Sequence, residues 1–142
     1  MSIGFHFQKV VLLKAKRRLV KFITHLVKKE GYTVESIDFV FCSDRYLLKI
    51  NRDFLNHDYF TDIITFDMSD INSPGISGEI YISVDTVKSN AKEFDVDDSE
   101  ELNRVMFHGV LHLCGYKDKS PRDKKLMRKR EDYYLKMFHG EH

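Results

Sequence analysis

Hydrophobic residues recur along the chain at two different spacings, which predict strands and helices in turn. Ile3, Phe5 and Phe7 alternate with small or polar neighbours, and this alternation predicts a short first strand. From about Leu12 to Glu30 the apolar residues recur at helical spacing, and Gly31 follows as a stop signal. The chain is therefore expected to begin with a strand and a helix.

The same two spacings continue through the middle of the chain. Ile37 to Phe41 alternate again and predict a second strand. Ser43 is placed to cap a helix that extends to about Phe54. Two β-rich stretches follow, Thr61 to Phe66 and Glu79 to Ser83, and each predicts a further strand.

Turn residues separate these last two strands and precede a short helix. The stretch from Met68 to Gly78 contains an Asn-Ser-Pro-Gly run that is typical of an exposed loop. Ser83 or Asp85 is expected to start a helix that ends near Phe94, and the acidic residues after it are expected to form a loop.

The final part of the chain predicts two more helices. Ser99 is expected to cap the first, and Gly115 to end it. The second has a Ser120 cap, Pro121 in the first turn and Asp123 at the capping-box position, and extends to about residue 138. The order of elements predicts an α+β fold in which about five helices cover a small, mixed, four-stranded sheet.

Composition is that of a soluble protein. At 142 residues, with 42% hydrophobic and 32% charged residues, the chain is expected to form one domain. Cys42 and Cys114 are the only cysteines, and we expect both to be reduced, buried thiols. The chain lacks an apolar run long enough to cross a membrane, and Met1 to Phe7 lacks the features of a signal peptide, so we expect a cytoplasmic protein.

The helix that ends at Gly115 carries a candidate metal site. His108 and His112 lie four residues apart, so on a helix they share one face with Cβ atoms about 5–6 Å apart. Gly115 then turns the chain back, and Asp118 is the first strong ligand type after the turn. Two histidines and one carboxylate leave a coordination position open, as catalytic metal sites require.

A structural interpretation of this pair competes with metal binding. Two histidines at this spacing also arise by chance, one hydrogen-bonded in the core and the other solvated. His108 and His112, however, lie on a helix that is otherwise apolar, and two buried imidazoles without a partner would be unfavourable. Cys114 is a weaker candidate ligand because it points to another face of the helix than His112.

Several reaction types remain open for such a site. The zinc-protease helix carries a Glu directly after its first His as general base, but Gly109 stands there in this chain, which disfavours a peptidase. Metal activation of a bound water remains available. Two His and one carboxylate also describe the facial triad of non-haem iron oxygenases.

Three ordered blocks of the sequence resemble the YbeY endoribonuclease family of bacterial ribosomal-RNA maturation factors. The stretch from His108 to Tyr116 is similar to the family motif His-Gly-x-Leu-His-Leu-x-Gly-Tyr-Asp-His. Asp58 to Phe66 resembles Asp-x-Pro-Thr-Asp-Val-Leu-Ser-Phe, and Gly78 to Ser83 resembles Gly-Asp-Ile-x-Ile-Ser. Order, spacing and overall length all agree, so the resemblance covers most of the chain.

The resemblance implies a zinc-dependent, single-strand endoribonuclease, and the alternative that it leaves open is a non-catalytic RNA-binding ribosome assembly factor, stabilised by its metal. It implies one Zn²⁺ per chain, a role in small-subunit ribosomal RNA maturation and ribosome quality control, and contacts with ribosome-associated proteins. The third metal-binding His of the family falls at Asp118, and the Asp before it is replaced by Lys117. A carboxylate can replace the imidazole, and its harder oxygen is expected to widen tolerance for other divalent ions.

The resemblance also implies residues for the rest of the cleft. Thr61 and Asp62 match the family's Thr-Asp pair and are expected to shape the cleft opposite the metal. The family's Arg six residues before this pair corresponds to Leu55, which leaves the group that handles phosphate undefined. The alternatives that remain open for that role are His57, Arg52 and Arg45.

Contact with RNA is expected to come from local patches because the formal net charge is only +1. Solvated charge is the competing interpretation of any basic helix face. One candidate patch follows the first helix, and another follows the last: Lys14, Lys16, Arg17, Arg18 and Lys21, then Arg122, Lys124, Lys125, Arg128, Lys129 and Arg130. The aromatic candidates for stacking on unpaired bases are Tyr59, Phe60 and above all Tyr116.

Overall fold

The structure, a computed structural model, describes residues 1–57 and 61–140. In chain order its elements are β1 (Ser2–Phe7), α1 (Lys16–Lys29), β2 (Thr33–Cys42), α2 (Asp44–Leu55), β3 (Ile63–Asp67), β4 (Gly75–Ser83), α3 (Val84–Glu93), α4 (Asp98–Leu113) and α5 (Pro121–Phe138). The expected α+β fold, a small four-stranded sheet with five helices, is confirmed for this part of the chain. The residues Asp58, Tyr59 and Phe60, part of the second family block, lie outside the described residues.

The sheet is mixed, with strand order β1-β2-β4-β3. β1 pairs with β2 in parallel, β2 pairs with β4 in parallel, and β3 pairs with β4 in the antiparallel sense. The β3–β4 hairpin therefore occupies one side of the sheet, with β3 at the edge. The side of the sheet that carries β3 is the side against which α4 packs.

The main hydrophobic core lies between one face of the sheet and the helices α1, α4 and α5. Phe39, Phe41 and Ile80 point into it from the sheet and are fully buried. The opposite face is covered in part by α2, whose Leu47 and Ile50 form a smaller cluster with strand residues. The larger core thus holds α4, the helix of the two candidate histidines, in a fixed position.

Two glycines allow α4 to approach the sheet closely. A Cβ atom added to Gly109 would lie 2.8 Å from Ile80 Cγ2, and one added to Gly78 would lie 2.7 Å from Leu113 Cδ2. Carbon atoms cannot approach so closely without displacement. Gly109 is therefore a packing residue, and the position where a zinc-protease helix carries its Glu has no room for a side chain.

Several predicted boundaries differ from the observed ones. Helix α1 begins at Lys16 instead of Leu12, because Ala15 adopts a left-handed conformation with φ 53°. Helix α4 is capped at Asp97, so Ser99 lies inside its first turn and the prediction of a Ser99 cap was wrong. Strand β4 extends back to Gly75 because its first residues pair with β2 from Thr33 onward.

The predicted caps of the other helices are confirmed. Ser43 and Ser83 accept hydrogen bonds from the third residue beyond them, at the starts of α2 and α3. Ser120 and Asp123 form the capping box of α5, with Pro121 in its first turn. Among the helices of the described residues, none combines the length and apolar character that a membrane span requires.

Candidate metal centre

Helix α4 presents His108 and His112 on the same face, as their spacing predicts. The ring centroids lie 4.8 Å apart and the ring planes are inclined by 74°. Each side chain is partly exposed to one cleft, whereas Phe107, Gly109 and Leu111 beside them are buried. Two imidazoles therefore reach a shared solvent-accessible position from a rigid helix.

The chain reverses direction directly after the second histidine. Gly115 has a positive φ of 102°, a conformation that favours glycine. Its backbone N–H donates to the His112 carbonyl, and the Tyr116 N–H donates to the Leu111 carbonyl. This glycine-terminated helix end is a common way to satisfy the last carbonyls of a helix. It brings the following turn, with Asp118, back beneath the histidines.

Asp118 completes a group of three potential ligands. One ligand atom each from His108, His112 and Asp118 lies within 4.8 Å of the other two, and His108 Nε2 lies 3.6 Å from Asp118 Oδ2. Ligand atoms about 2.0–2.1 Å from a tetrahedral ion lie roughly 3.4 Å apart. The three side chains therefore fit a divalent ion after small rotations about their side-chain bonds.

The other nitrogen of His108 is held by a buried carboxylate. Its Nδ1 lies 2.7 Å from Glu131 Oε2, and the Glu131 side chain is only 6% exposed. Since a carboxylate only accepts, Nδ1 donates, which leaves the Nε2 lone pair free toward Asp118. A carboxylate behind a histidine is the usual support of a metal-ligating imidazole.

Glu131 is itself fixed by Arg104. Arg104 Nη1 donates to Glu131 Oε1 at 3.0 Å, while Nη2 donates to Asp132 Oδ1 at 2.7 Å. The charged network lies between α4 and α5, and it ties the first histidine to the last helix. A buried carboxylate without such a partner would be unfavourable.

The two histidines differ in their affinity for a proton. Burial lowers the pKa of His108, but two effects of Glu131, the hydrogen bond that it accepts from Nδ1 and its negative charge, outweigh burial together with the charges of Asp118 and Asp62, so the pKa is raised. Burial and the neighbouring His108 lower the pKa of His112. His112 is thus held in the neutral form that ligates metals. The negative charge around His108 equally favours a cation.

These residues lie in a cleft of about 700 Å³. Asp62 lines it, and burial raises the pKa of its carboxyl group. Glu101 also lines it, and burial raises the pKa of that group to about 7. Burial destabilises the ionised form of both carboxyl groups, and a bound divalent ion would favour that form.

The cleft also contains three of the residues expected near the metal. Thr61 and Asp62 line it, and Thr61 Oγ1 donates to the Ile63 carbonyl at 3.3 Å. Tyr116 lines it as well, in the turn after α4. His57 is exposed beyond the end of α2 and, among the described residues, is not part of the cleft lining.

Tyr116 is held by its neighbours in a way that the sequence did not indicate. Its hydroxyl donates to Glu30 Oε1 at 2.7 Å, and the buried Tyr134 hydroxyl donates to the other oxygen of Glu30. Glu30 caps the end of α1. Tyr116, the main candidate for stacking on a base, is thus connected through Glu30 to α1 and α5. Its position supports the turn that carries Asp118.

Among the described residues, none of the cations proposed for the place of the family Arg lines the cleft. Leu55 ends α2 and is 39% exposed, and Arg45 and Arg52 are exposed on that helix, outside the described cleft lining. The basic residues that line the cleft come instead from α4, the turn after it and α5: Arg104, Lys117, Lys119, Lys124 and Arg128. Of the two predicted basic patches, only the one on α5 contributes to the cleft.

The sequence analysis did not identify the contact of Glu131 with His108. One signal was present, because Glu131 lies in the same helical stripe as Met127, Tyr134 and Leu135, which are all buried. A carboxylate on a buried face requires a partner. Cys114 is a buried thiol, and burial raises its pKa to about 12, so it is not a competing ligand.

Comparison with known proteins agrees with the sequence motifs. The family model described as Endoribonuclease YbeY matches residues 6–139. An "Endoribonuclease YbeY" of Flavobacterium psychrophilum is 44% identical over 137 residues, which cover 96% of each chain. One from Cytophaga hutchinsonii is 46% identical and covers 88% of this chain and 87% of its own.

A solved structure has the same fold. The solution structure of TM1509 from Thermotoga maritima is 27% identical in sequence, with a TM-score of 0.66, and the match covers 98% of this chain and 90% of that one. The resemblance noted in the sequence motifs is therefore confirmed over most of both chains. This chain belongs to the YbeY endoribonuclease family.

Proposed function

We propose that the chain is a single metallohydrolase domain, a metal-dependent endoribonuclease that cuts single-stranded RNA. Its proposed cellular role is the maturation of small-subunit ribosomal RNA and ribosome quality control in the cytoplasm, in contact with ribosome-associated proteins. Support comes from membership of the family and from one observation above all. Ligand atoms of His108, His112 and Asp118 converge at an open cleft.

In this proposal the three residues hold one Zn²⁺ per chain, and the carboxylate of Asp118 lets other divalent ions substitute. When bound, such an ion polarises a phosphate oxygen and lowers the pKa of a coordinated water. Glu131 keeps the hydrogen of His108 on Nδ1, so that Nε2 faces the ion. Lys117, Lys119, Lys124 and Arg128 attract the phosphates of RNA to the cleft.

The test joins metal analysis with cleavage assays. His108→Ala and His112→Ala should each remove most of the bound metal from the purified protein, together with cleavage of single-stranded RNA. His25→Ala is the matched control, because His25 is exposed on α1 and lies outside the cleft lining of the described residues. Duplex RNA and chelated protein complete the comparison, and neither should give cleavage.

The outcomes separate the proposal from its alternatives. Unchanged metal content in both histidine variants would contradict the metal site. Tight binding of RNA without cleavage, at any metal concentration, would instead favour a ribosome assembly factor that uses the ion for structure. Consumption of oxygen after anaerobic loading with iron would favour an oxygenase.

A further inference from the structure

Phe94 is an exposed aromatic residue in the wall of the candidate metal cleft. It ends α3, its backbone N–H donates to the Asn90 carbonyl, and its side chain is 50% exposed. Both Phe94 and Asn90 line the cleft that contains His108 and His112. Because half of the ring is exposed within the cleft, a ligand that covers it would remove apolar surface from water, which is favourable.

A cation accompanies this ring. The Arg128 guanidinium carbon lies 6.0 Å from the centroid of Phe94, at the limit of a cation–π contact, and Arg128 projects from α5 into the same cleft. Arg128 lies one turn before Glu131, the residue that contacts His108, so the stripe of α5 that faces the cleft leads from the metal site to the ring. Lys124 extends this stripe by another turn.

An aromatic ring beside a guanidinium group is chemically suited to a nucleotide. The ring offers a face on which any base can stack, and the cation can pair with a phosphate or stack on the same base. Tyr116 is less suited to this role because its hydroxyl is bound to Glu30. Phe94 has no polar group that would hold it in such a network.

We propose that Phe94 and Arg128, with Asn90 beside them, form a subsite for one unpaired nucleobase of the RNA held at the metal centre. A base inside a duplex is already stacked on both faces, so this subsite accepts only single strands. The inference rests on the proposed function, since it specifies how the same cleft recognises its substrate. Its partner is RNA and not a protein surface, because the Arg128 guanidinium adjoins the ring and further basic residues line the same cleft.

The test measures binding and cleavage of a fluorescein-labelled deca-adenylate RNA by zinc-loaded protein. Phe94→Ala should weaken binding by about 5-fold to 150-fold, the loss that corresponds to one stacked base. Phe94→Tyr should bind within about twofold of the wild type, since it keeps the ring, whereas Phe94→Leu should bind as poorly as Phe94→Ala. Cleavage should show a raised KM with kcat preserved.

Phe7→Ala is the matched control. Phe7 is 47% exposed, close to the exposure of Phe94, but it lies on β1 and outside the cleft lining of the described residues. This variant should bind the decamer as the wild type does. A duplex of the same RNA with a complementary deca-uridylate strand should bind with equal affinity to the wild type, Phe94→Ala and Phe7→Ala, because its bases cannot reach the ring.

The outcomes keep this inference separate from the nuclease proposal. Cleavage of the decamer by Phe94→Ala with unchanged KM and unchanged affinity would overturn the subsite and leave the nuclease intact. An affinity lost in Phe94→Ala and retained in Phe94→Tyr, in a protein that cleaves no RNA, would support the subsite and contradict the nuclease. Full affinity in Phe94→Leu would also overturn the subsite, since stacking needs a ring.

Discussion

The His108 imidazole is held from both sides, by Glu131 at Nδ1 and by Asp118 near Nε2. Glu131 keeps the hydrogen of the ring on Nδ1. Asp118 lies next to Nε2, the nitrogen at which a metal ion would bind. Such a residue depends as much on its supporting carboxylate as on its own identity. The most informative substitutions are therefore those that leave the three candidate ligands untouched.

Glu131→Gln should weaken zinc binding by roughly 10-fold to 100-fold, as is usual when the group behind a metal-ligating histidine is lost. The amide still accepts a hydrogen bond from Nδ1, but it removes the negative charge next to the imidazole. The measurement is a competition titration with a chromophoric chelator. This titration requires neither RNA nor catalytic turnover.

Asp132→Asn is the control for this prediction. Asp132 is adjacent in the chain and shares Arg104 as a partner, but among the described contacts it does not reach His108. Its zinc affinity should stay close to that of the wild type. Equal losses in both variants would mean that the charge of the network, and not its contact with His108, governs the ion.

Glu101→Gln should change the pH dependence of stability. Burial raises the pKa of Glu101 from 4.5 to about 7, so the folded protein keeps a proton that the unfolded chain releases. Between these pH values folding stability falls as pH rises, and above about pH 7 the loss is complete. Glutamine never ionises, so the variant should be more stable than the wild type at pH 8 by about 3 kcal/mol.

Urea unfolding of metal-free protein at pH 5 and pH 8 measures this effect. The difference between Glu101→Gln and the wild type should be small at pH 5 and large at pH 8. Glu100→Gln, in the same turn of α4 but less buried, should differ little at either pH. A difference that is the same at both pH values would show that ionisation of Glu101 is not its cause.

At the scale of elements, α4 determines the geometry of the site because it packs closely against the sheet. Ten of its residues are buried, including Gly109 between the two histidines. Ile80 and Ile63 from the strands contact this glycine position. The rigidity that orients the two imidazoles therefore depends on a residue without a side chain.

Gly109→Ala tests this packing. The added Cβ would lie 2.8 Å from Ile80 Cγ2 and 3.0 Å from Ile63 Cδ1, so the isoleucines must move. Overpacking costs about 1–3 kcal/mol, which exceeds the gain of at most about 1 kcal/mol in helix propensity. We expect a net loss of about 1 kcal/mol in the free energy of unfolding, measured by urea denaturation.

Ile80→Ala supplies the matched rescue, because it removes two of the three methyl groups that the new Cβ would approach and leaves only Ile63 Cδ1. Alone it should destabilise the protein by leaving a cavity. The double variant with Gly109→Ala should lose less stability than the sum of the losses in the two single variants. Strict additivity would show that the two positions are not in contact.

The elements could be predicted from the sequence wherever the signal is local. Alternation gave β1 and β2, and the Ser120-Pro121-Asp123 capping box gave the start of α5. The histidine pair and Asp118 lie within one helix end and one turn, so their convergence followed from spacing and a glycine. The boundary errors arose where tertiary contacts override local preference, as at β4, which pairs from Gly75.

The contacts that the sequence could not give are those between distant parts of the chain. Glu131 reaches His108 from α5, and Glu30 reaches Tyr116 from the end of α1. The spacing of hydrophobic residues specifies a buried face but not the element opposite it. Phe94 was missed for the same reason, because only the fold brings the end of α3 to the cleft.

At the scale of the whole molecule, charge is distributed unevenly although the net charge is only +1. Acidic groups lie deep in the cleft around the histidines, and the basic residues Lys117, Lys119, Lys124 and Arg128 lie more exposed in the same cleft. The acidic groups thus attract a metal ion deep in the cleft, and the basic residues attract the phosphates of RNA at its more exposed part. A second basic surface, on α1, lies outside the described cleft lining.

The salt dependence of RNA binding distinguishes these two basic surfaces. Each phosphate neutralised on a single strand contributes about −0.7 to the slope of log K against log salt concentration, so four cleft cations predict a slope of about −3. Lys119→Ala with Lys124→Ala should make the slope shallower by about 1.4 units. Fluorescence anisotropy with the decamer, from low to moderate salt, gives both slopes.

Lys14→Ala with Arg17→Ala removes two positive charges from the other basic surface. Both residues are exposed at the start of α1 and lie outside the described cleft lining. The formal net charge falls from +1 to −1 in either double variant, so any effect of overall charge is equal in the two. Only the cleft pair should flatten the slope. If the α1 pair flattens it equally, RNA would contact both surfaces, and the strand would extend well beyond the metal cleft.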